Sequence, residues 1–193
     1  MNNENKAILV MDYINEIIHP DGKFKGKGYA EFAKKNKTLE NVIEAVNYAR
    51  DTGMKVVYVK VGFSETYADQ PKGSPLFGKA NEFQALKLNT WATEFHEDLD
   101  VREEDKIITK NRVSPFYNTD LESYLENNNI KELYLCGVST DLVVQSAARD
   151  GHDRDYKINV LADCCAAGNS KDHENSLETL KKISTVDTYK TFF

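Results

Sequence analysis

Three short stretches carry the groups best suited to chemistry. Asp12 closes the apolar run of residues 7–11, and a carboxylate there can take or give a proton once its surroundings bring its pKa toward the working pH. Lys110 follows the strand-like residues 106–109 and offers an ammonium to developing negative charge. Gly137-Val138-Ser139-Thr140 joins an apolar run to a helical pattern; such a turn presents an N-cap hydroxyl, Ser139 or Thr140, and backbone N–H groups that bind anions. Each stretch also has a plainer reading. Asp is common at strand ends as a turn or capping residue, and Lys110 beside Asn111-Arg112 reads equally as one more surface lysine.

The remaining reactive residue types are sparse. There are three cysteines, an odd number, and with no secretory signal in view they are expected as reduced thiols. Cys136 precedes Gly137 and reads as a small buried hydrophobe. Cys164 and Cys165 follow Asp163 at another expected strand end, where a stand-in thiol is conceivable. The histidines, His19, His96, His152 and His173, fall into no spacing typical of metal ligands, so no metal and no cofactor is expected. His173 reads as a helix-start surface or interface residue. Neither GxGxxG nor GxxxxGK[ST] occurs, which speaks against a nucleotide site.

The elements that must position these groups can be read from periodicity. Residues 7–11 form a continuous apolar run, as in a strand covered on both faces. Leu39, Val42, Ile43 and Val46 recur with helical spacing, and that helix stops near Gly53. Residues 55–61 and 106–109 read as the second and third strands, 133–136 and 158–161 as the fourth and fifth. A helix opens at the Thr119-Asp-Leu-Glu122 capping box with Leu121, Tyr124 and Leu125 inward, and Asn127-Asn128-Asn129 ends it. Further helices are expected over 140–150 and 170–183, and the tail 186–193 as a short last strand. Residues 62–99 show no strong period, and loops of that length usually form lids or carry short helices. Phe63, Tyr67, Phe77 and Trp91 in that stretch either wall a pocket or hold the loop down.

Strands alternating with helices imply a three-layer, doubly wound α/β fold: a mainly parallel sheet of about six strands with helices on both faces. Ligands of such sheets bind beyond the carboxyl ends of the strands, where strand order reverses. Asp12, Lys110 and the 137–140 turn all fall at those ends. The 193 residues suit one domain, 1–193. With 40% apolar and 29% charged residues, neither disorder nor a membrane protein is favoured, and a cytoplasmic location is expected. A formal charge of -6 with scattered basic residues argues against a nucleic-acid partner.

Four segments, in order, resemble the isochorismatase-like hydrolase superfamily over nearly the whole chain. AILVMDYINE resembles its opening strand with the family Asp at Asp12, and IITKNRVSPFYNTDLESYL the segment carrying the family Lys at Lys110. LYLCGVSTDLVVQSAARDG is similar to the strand, turn and helix that normally present a nucleophilic cysteine, and DHENSL to the pattern on the last helix. Counting three residues on from Thr140, however, lands on Val143. Ile14 replaces a common glutamine, although Asn15 is kept, and VGFSETYADQPKGSPLF lacks the histidines of metal-binding nicotinamidases.

What the resemblance implies is a hydrolase without a covalent thiol step. In cysteine-using relatives the Asp takes the thiol proton, the Lys favours the thiolate and turn N–H groups hold the oxyanion. In isochorismatases, which also lack the cysteine, the Asp acts as a general acid before water adds. The resemblance further implies a cis peptide between Val138 and Ser139 and a homo-oligomer, dimer or tetramer. The leading expectation is therefore hydrolysis of a small organic acid by Asp12 and Lys110. Two alternatives stand beside it: an amidase using Cys165 or another thiol, and a catalytically silent binding or oligomeric protein in which Val143 simply packs against the sheet.

Overall fold

The computed structural model describes residues 3–193. Its first strand, β1 (Lys6–Met11), has Ala7 through Met11 wholly buried. Alternate side chains of a strand point to opposite faces, so both faces of the sheet are covered at its centre. Around it stand β2 (Lys55–Val61), β3 (Lys106–Lys110), β4 (Glu132–Val138), β5 (Lys157–Ala166) and β6 (Thr185–Asp187). Among the described residues these six pair in the order β3-β2-β1-β4-β5-β6, every pair parallel. The chain winds outward from β1 to β3, then crosses back to β4. The switch point therefore lies between β1 and β4, where Met11 pairs with Gly137.

The helices follow from apolar stripes and from where those stripes stop. The longest, α3 (Thr38–Asp51), buries Val42, Ala45, Val46 and Ala49 and ends before Gly53, which takes the left-handed conformation at φ 81°. α4 (Leu121–Asn127) buries Leu121 and Leu125 and ends ahead of left-handed Asn129. The expected capping box does not form. The Thr119 hydroxyl donates to Pro115 O and accepts from Leu121 N–H, while Glu122 reaches Arg154 across to a neighbouring element at 3.1 Å. α5 (Gln145–His152) is preceded by one π-helical turn, Thr140–Val144. Neither Ser139 nor Thr140 caps it by side chain. α6 (Ser170–Leu180) is capped by Asn169, whose side chain accepts from Asp172 N–H.

Three short helices had no strong periodic signal: α1 (Asn15–Ile18), α2 (Tyr29–Asn36) and α7 (Tyr189–Phe192). The tail thus pairs only three residues as β6 before turning helical. β5 runs five residues past its expected end at Leu161, because its pairing with β4 shifts register between Leu135 and Gly137 and then resumes at Cys165 and Ala166. The long stretch after β2 holds a single 3₁₀ turn, Trp91–Thr93. Tyr67, Gln84, Leu86 and Asn89 all sit at positive φ there, and such residues interrupt any helical or strand period. Isolated bridges, Phe63 with Lys87 and Ile14 with Phe95, and side chains hold it: the buried Glu16 carboxylate accepts from Leu86 N–H, and Gln70 Nε2 donates to Phe77 O at 2.8 Å. No helix among the described residues is long and apolar enough to cross a membrane.

Gly28 joins the segment after α1 to α2 at φ 84°, and a Cβ there would run into Gly168 O. Gly28→Ala combines a left-handed penalty with overpacking against backbone, so it should cost about 1–3 kcal/mol. Urea unfolding should show a lower midpoint at unchanged slope; a midpoint matching wild type would mean the two segments are not held together there.

Candidate functional site

Asp12 is the residue on which β1 leaves the sheet. Its N–H still bonds Val59 O at 2.8 Å, but its φ of 62° turns the chain out of the strand plane. Lys110 ends β3, two strands away, and its side chain reaches back across the carboxyl edge. Its Nζ donates to Asp12 Oδ2 at 2.8 Å and to Arg112 O at 3.1 Å. Both residues are buried. The second carboxylate oxygen, Oδ1, is buried with no hydrogen-bond partner. Burial raises the Asp12 pKa above its ordinary 3.8, with the Lys110 charge and hydrogen bond opposing that rise.

The third group arrives from β4. The Val138–Ser139 peptide is cis, and Val138, Ser139, Leu142 and Val143 line the same cavity of about 60 Å³ as Asp12 and Lys110. Ser139 Oγ is buried without a hydrogen-bond partner, and the half-buried Tyr29 phenol lies near it. Gly137 has a steric reason to be glycine: a Cβ there would meet Met11 O at 3.0 Å and Val143 Cγ1 at 3.2 Å. The rest of the wall is apolar, chiefly Ile17, Phe24, Phe77, Leu86 and Val113.

Thr140 is not part of that wall. Its hydroxyl donates to Ala166 O at 3.1 Å and lies 2.9 Å from His173 Nδ1, so it ties the π-helical turn to β5 and α6. With the hydroxyl proton on Ala166 O, His173 must supply the proton of the second contact from Nδ1. Burial lowers the His173 pKa, with Glu174 opposing. The histidine also packs on Phe32, ring centroids 5.0 Å apart; it is an inter-element contact.

The stand-in thiol finds no support in the geometry. Cys164 and Cys165 lie within β5 rather than at its end, and no cysteine lines the cavity with Asp12. Burial pushes the Cys165 thiol up to about 12, and it donates to Leu161 O at 3.3 Å; burial likewise raises Cys136 and Cys164. Of the loop aromatics, Phe77 walls the cavity. Phe63 and Tyr67 pack behind it, with Phe63 5.5 Å from Phe77, whereas Trp91 is exposed and meets His19 edge-on. Sequence reasoning missed Phe24, Tyr29, Leu86 and the anchoring Glu16, which have no period to mark them. Among the described residues no group of three or more His, Cys, Asp or Glu side chains is placed to hold a metal ion.

Similarity to known proteins agrees with this arrangement. The chain is 30% identical over 191 residues to ureidoacrylate amidohydrolase RutB of Acinetobacter baylyi, covering 92% of this chain and 78% of the relative. An isochorismatase-like hydrolase from Alkaliphilus metalliredigens has a TM-score of 0.82 at 25% identity, over 97% of each chain. A cysteine hydrolase from Pseudomonas syringae pv. phaseolicola shares the fold at TM-score 0.84 and 22% identity, over 100% of this chain and 92% of that one. Residues 6–188 match the family described as isochorismatase domain, and the chain belongs to that family of hydrolases.

Proposed function

We propose that residues 1–193 act as one domain that hydrolyses a small organic molecule by proton transfer through Asp12, with no covalent thiol intermediate. The observation that carries this reading is the Asp12 carboxylate itself: Oδ2 is held by Lys110, and Oδ1 is left without a partner in a largely apolar cavity. A water at Oδ1 loses a proton to Asp12 as its oxygen bonds to the substrate carbon. The same proton then passes to the departing nitrogen or oxygen as the bond from that atom to carbon breaks. One water is consumed and Asp12 ends as it began. A carboxyl group raised by burial is a stronger base than an exposed one, which suits this shuttle. In this reading, backbone N–H groups at the start of the π-helical turn would hold negative charge on the carbonyl oxygen.

Val143 occupies the position three residues after Thr140 where cysteine-using relatives carry their nucleophile, and its side chain lines the cavity. The related protein from Acinetobacter is an amidohydrolase, so cleavage of a C–N bond is the reaction to try first.

Three measurements test the reading. On a panel of amides, esters and vinyl ethers, Asp12→Asn should lose activity by about 10²–10⁴-fold. That variant leaves Lys110 buried without its counter-charge, so Asp12→Asn/Lys110→Met, which removes both charges, is the folding control. Activity at wild-type level in Asp12→Asn would take the residue out of the mechanism.

Carboxyl-carbon NMR should place the Asp12 midpoint above 3.8, and Lys110→Met should raise it further because the opposing charge is gone. The folded carboxyl then holds its proton to higher pH than the unfolded chain does, so this group costs stability as pH rises from 3.8 through the folded midpoint. A midpoint that falls in Lys110→Met would refute the assigned balance.

Val143→Cys exchanges side chains of similar size and should cost less than about 1.5 kcal/mol. Iodoacetamide should modify position 143 faster than Cys136, Cys164 or Cys165. An inert thiol there would show that Val143 does not occupy a vacant nucleophile position.

A further inference from the structure

His173 is a half-buried polar group that the proposed reaction does not use. It stands in the first turn of α6 and is not among the residues lining the cavity. Its Nδ1 lies 2.9 Å from Thr140 Oγ1. Thr140 is wholly buried, opens the π-helical turn and directly follows the cavity residue Ser139. The hydroxyl has one proton, given to Ala166 O at 3.1 Å, so the contact holds only while the imidazole donates from Nδ1. The same ring packs on Phe32, centroids 5.0 Å apart. Phe32 stands three residues after Tyr29 on α2, hence on the same side of that helix, and Tyr29 lines the cavity beside Ser139. One imidazole thus backs two walls of the polar end: the turn that bears Ser139 and the helix that bears Tyr29.

α6 has a second hold on this region, Ser176 O accepting from Gln145 Nε2 at 3.0 Å. That bond grips the helix after the turn, whereas His173 grips the turn's first residue. The aim of the turn N–H groups is set at that first residue, and a displacement of about an ångström there weakens their hold on developing charge. Resting on the site reading above, we infer that His173 is a positioning residue of the hydrolytic site, acting through Nδ1–H on Thr140 and through its ring on Phe32 without touching substrate. A packing role alone would need only the ring; the donor is what histidine adds.

Two substitutions separate these parts. His173→Asn places an amide N–H near the Nδ1 position and drops the ring, while His173→Phe keeps the ring on Phe32 and drops the donor. In wild type above neutral pH, nitrogen NMR of the ring should find the proton on Nδ1. Hydrogen exchange of the Thr140–Val144 amides should quicken about tenfold relative to the β1 amides in His173→Phe, and stay within about threefold of wild type in His173→Asn. On any panel substrate that turns over, His173→Phe should lower kcat about tenfold with KM nearly unchanged, and His173→Asn should recover most of it. If none turns over, the thiol midpoint of Val143→Cys replaces kcat: adding His173→Phe should raise it by about half a pH unit or more, as the turn favours the thiolate less. A proton on Nε2, unchanged exchange in His173→Phe, faster exchange with kcat or thiol midpoint intact, or an Asn variant as impaired as the Phe variant would each overturn the positioning role. Wild-type turnover in His173→Phe beside lost activity in Asp12→Asn would remove His173 and keep the proton shuttle. Faster exchange and a raised thiol midpoint, with no substrate turned over by wild type, would keep the hold of His173 on the turn and remove the hydrolase reading.

Discussion

The buried ion pair between Asp12 and Lys110 is the constraint around which the rest of the molecule is arranged. Bringing two charges into a protein interior costs several kcal/mol per ion, and their attraction offsets this only when geometry and further hydrogen bonds are good. Here the ammonium has both: a 2.8 Å contact to Oδ2 and a 3.1 Å bond to Arg112 O. The carboxylate is served less well: a Val61 backbone hydrogen bond helps offset its burial, but Oδ1 has no close partner. A pair kept only for stability would gain from satisfying that oxygen or from replacement by apolar side chains. Under the proposed proton-transfer role, an acceptor facing the cavity is kept at the expense of fold stability.

Sheet topology makes the pair reachable. Asp12 and Lys110 are 98 residues apart in sequence, yet β1 and β3 flank β2 in parallel register, so both strands end at one edge. β4 ends on the other side of β1, bringing the Val138–Ser139 turn to the same place. The switch point opens a crevice because the chain leaves β1 and β4 toward opposite directions of winding. The left-handed φ of Asp12 and the close approach of Gly137 to Met11 are local consequences of fitting two strand ends and a helix start into that crevice.

The cavity is closed by pieces with little regular structure. The backbones of Phe77 and Leu86 are held by hydrogen bonds to Gln70 and Glu16, and Leu86 also by a single bridge between Phe63 and Lys87. Phe24 and Tyr29 arrive on the segment that Gly28 lets pass close to Gly168. The apolar wall of the cavity thus rests on irregular segments, while the charged pair rests on the sheet.

Much of this was legible in the residues themselves. The apolar runs of β1 and β2 mark them as strands covered on both faces, and the positions of Asp12 and Lys110 at strand ends followed directly; β4 runs on to Val138, past its expected end at Cys136. Helices with a full apolar stripe, such as α3, were legible for the same reason. What only tertiary structure decided was every feature set by a distant partner. The extra length of β5 depends on a register shift against β4, and with it Cys164 and Cys165 became strand residues with suppressed thiols. Thr140 turned its hydroxyl to Ala166 O, 26 residues on, so it does not serve as the expected cap. Phe24, Tyr29, Leu86 and Glu16 carry no local pattern, because an irregular segment is placed by its contacts and not by its period. The pairing of Asp12 with Lys110, finally, joins residues 98 apart, and only the folded sheet brings them within 2.8 Å.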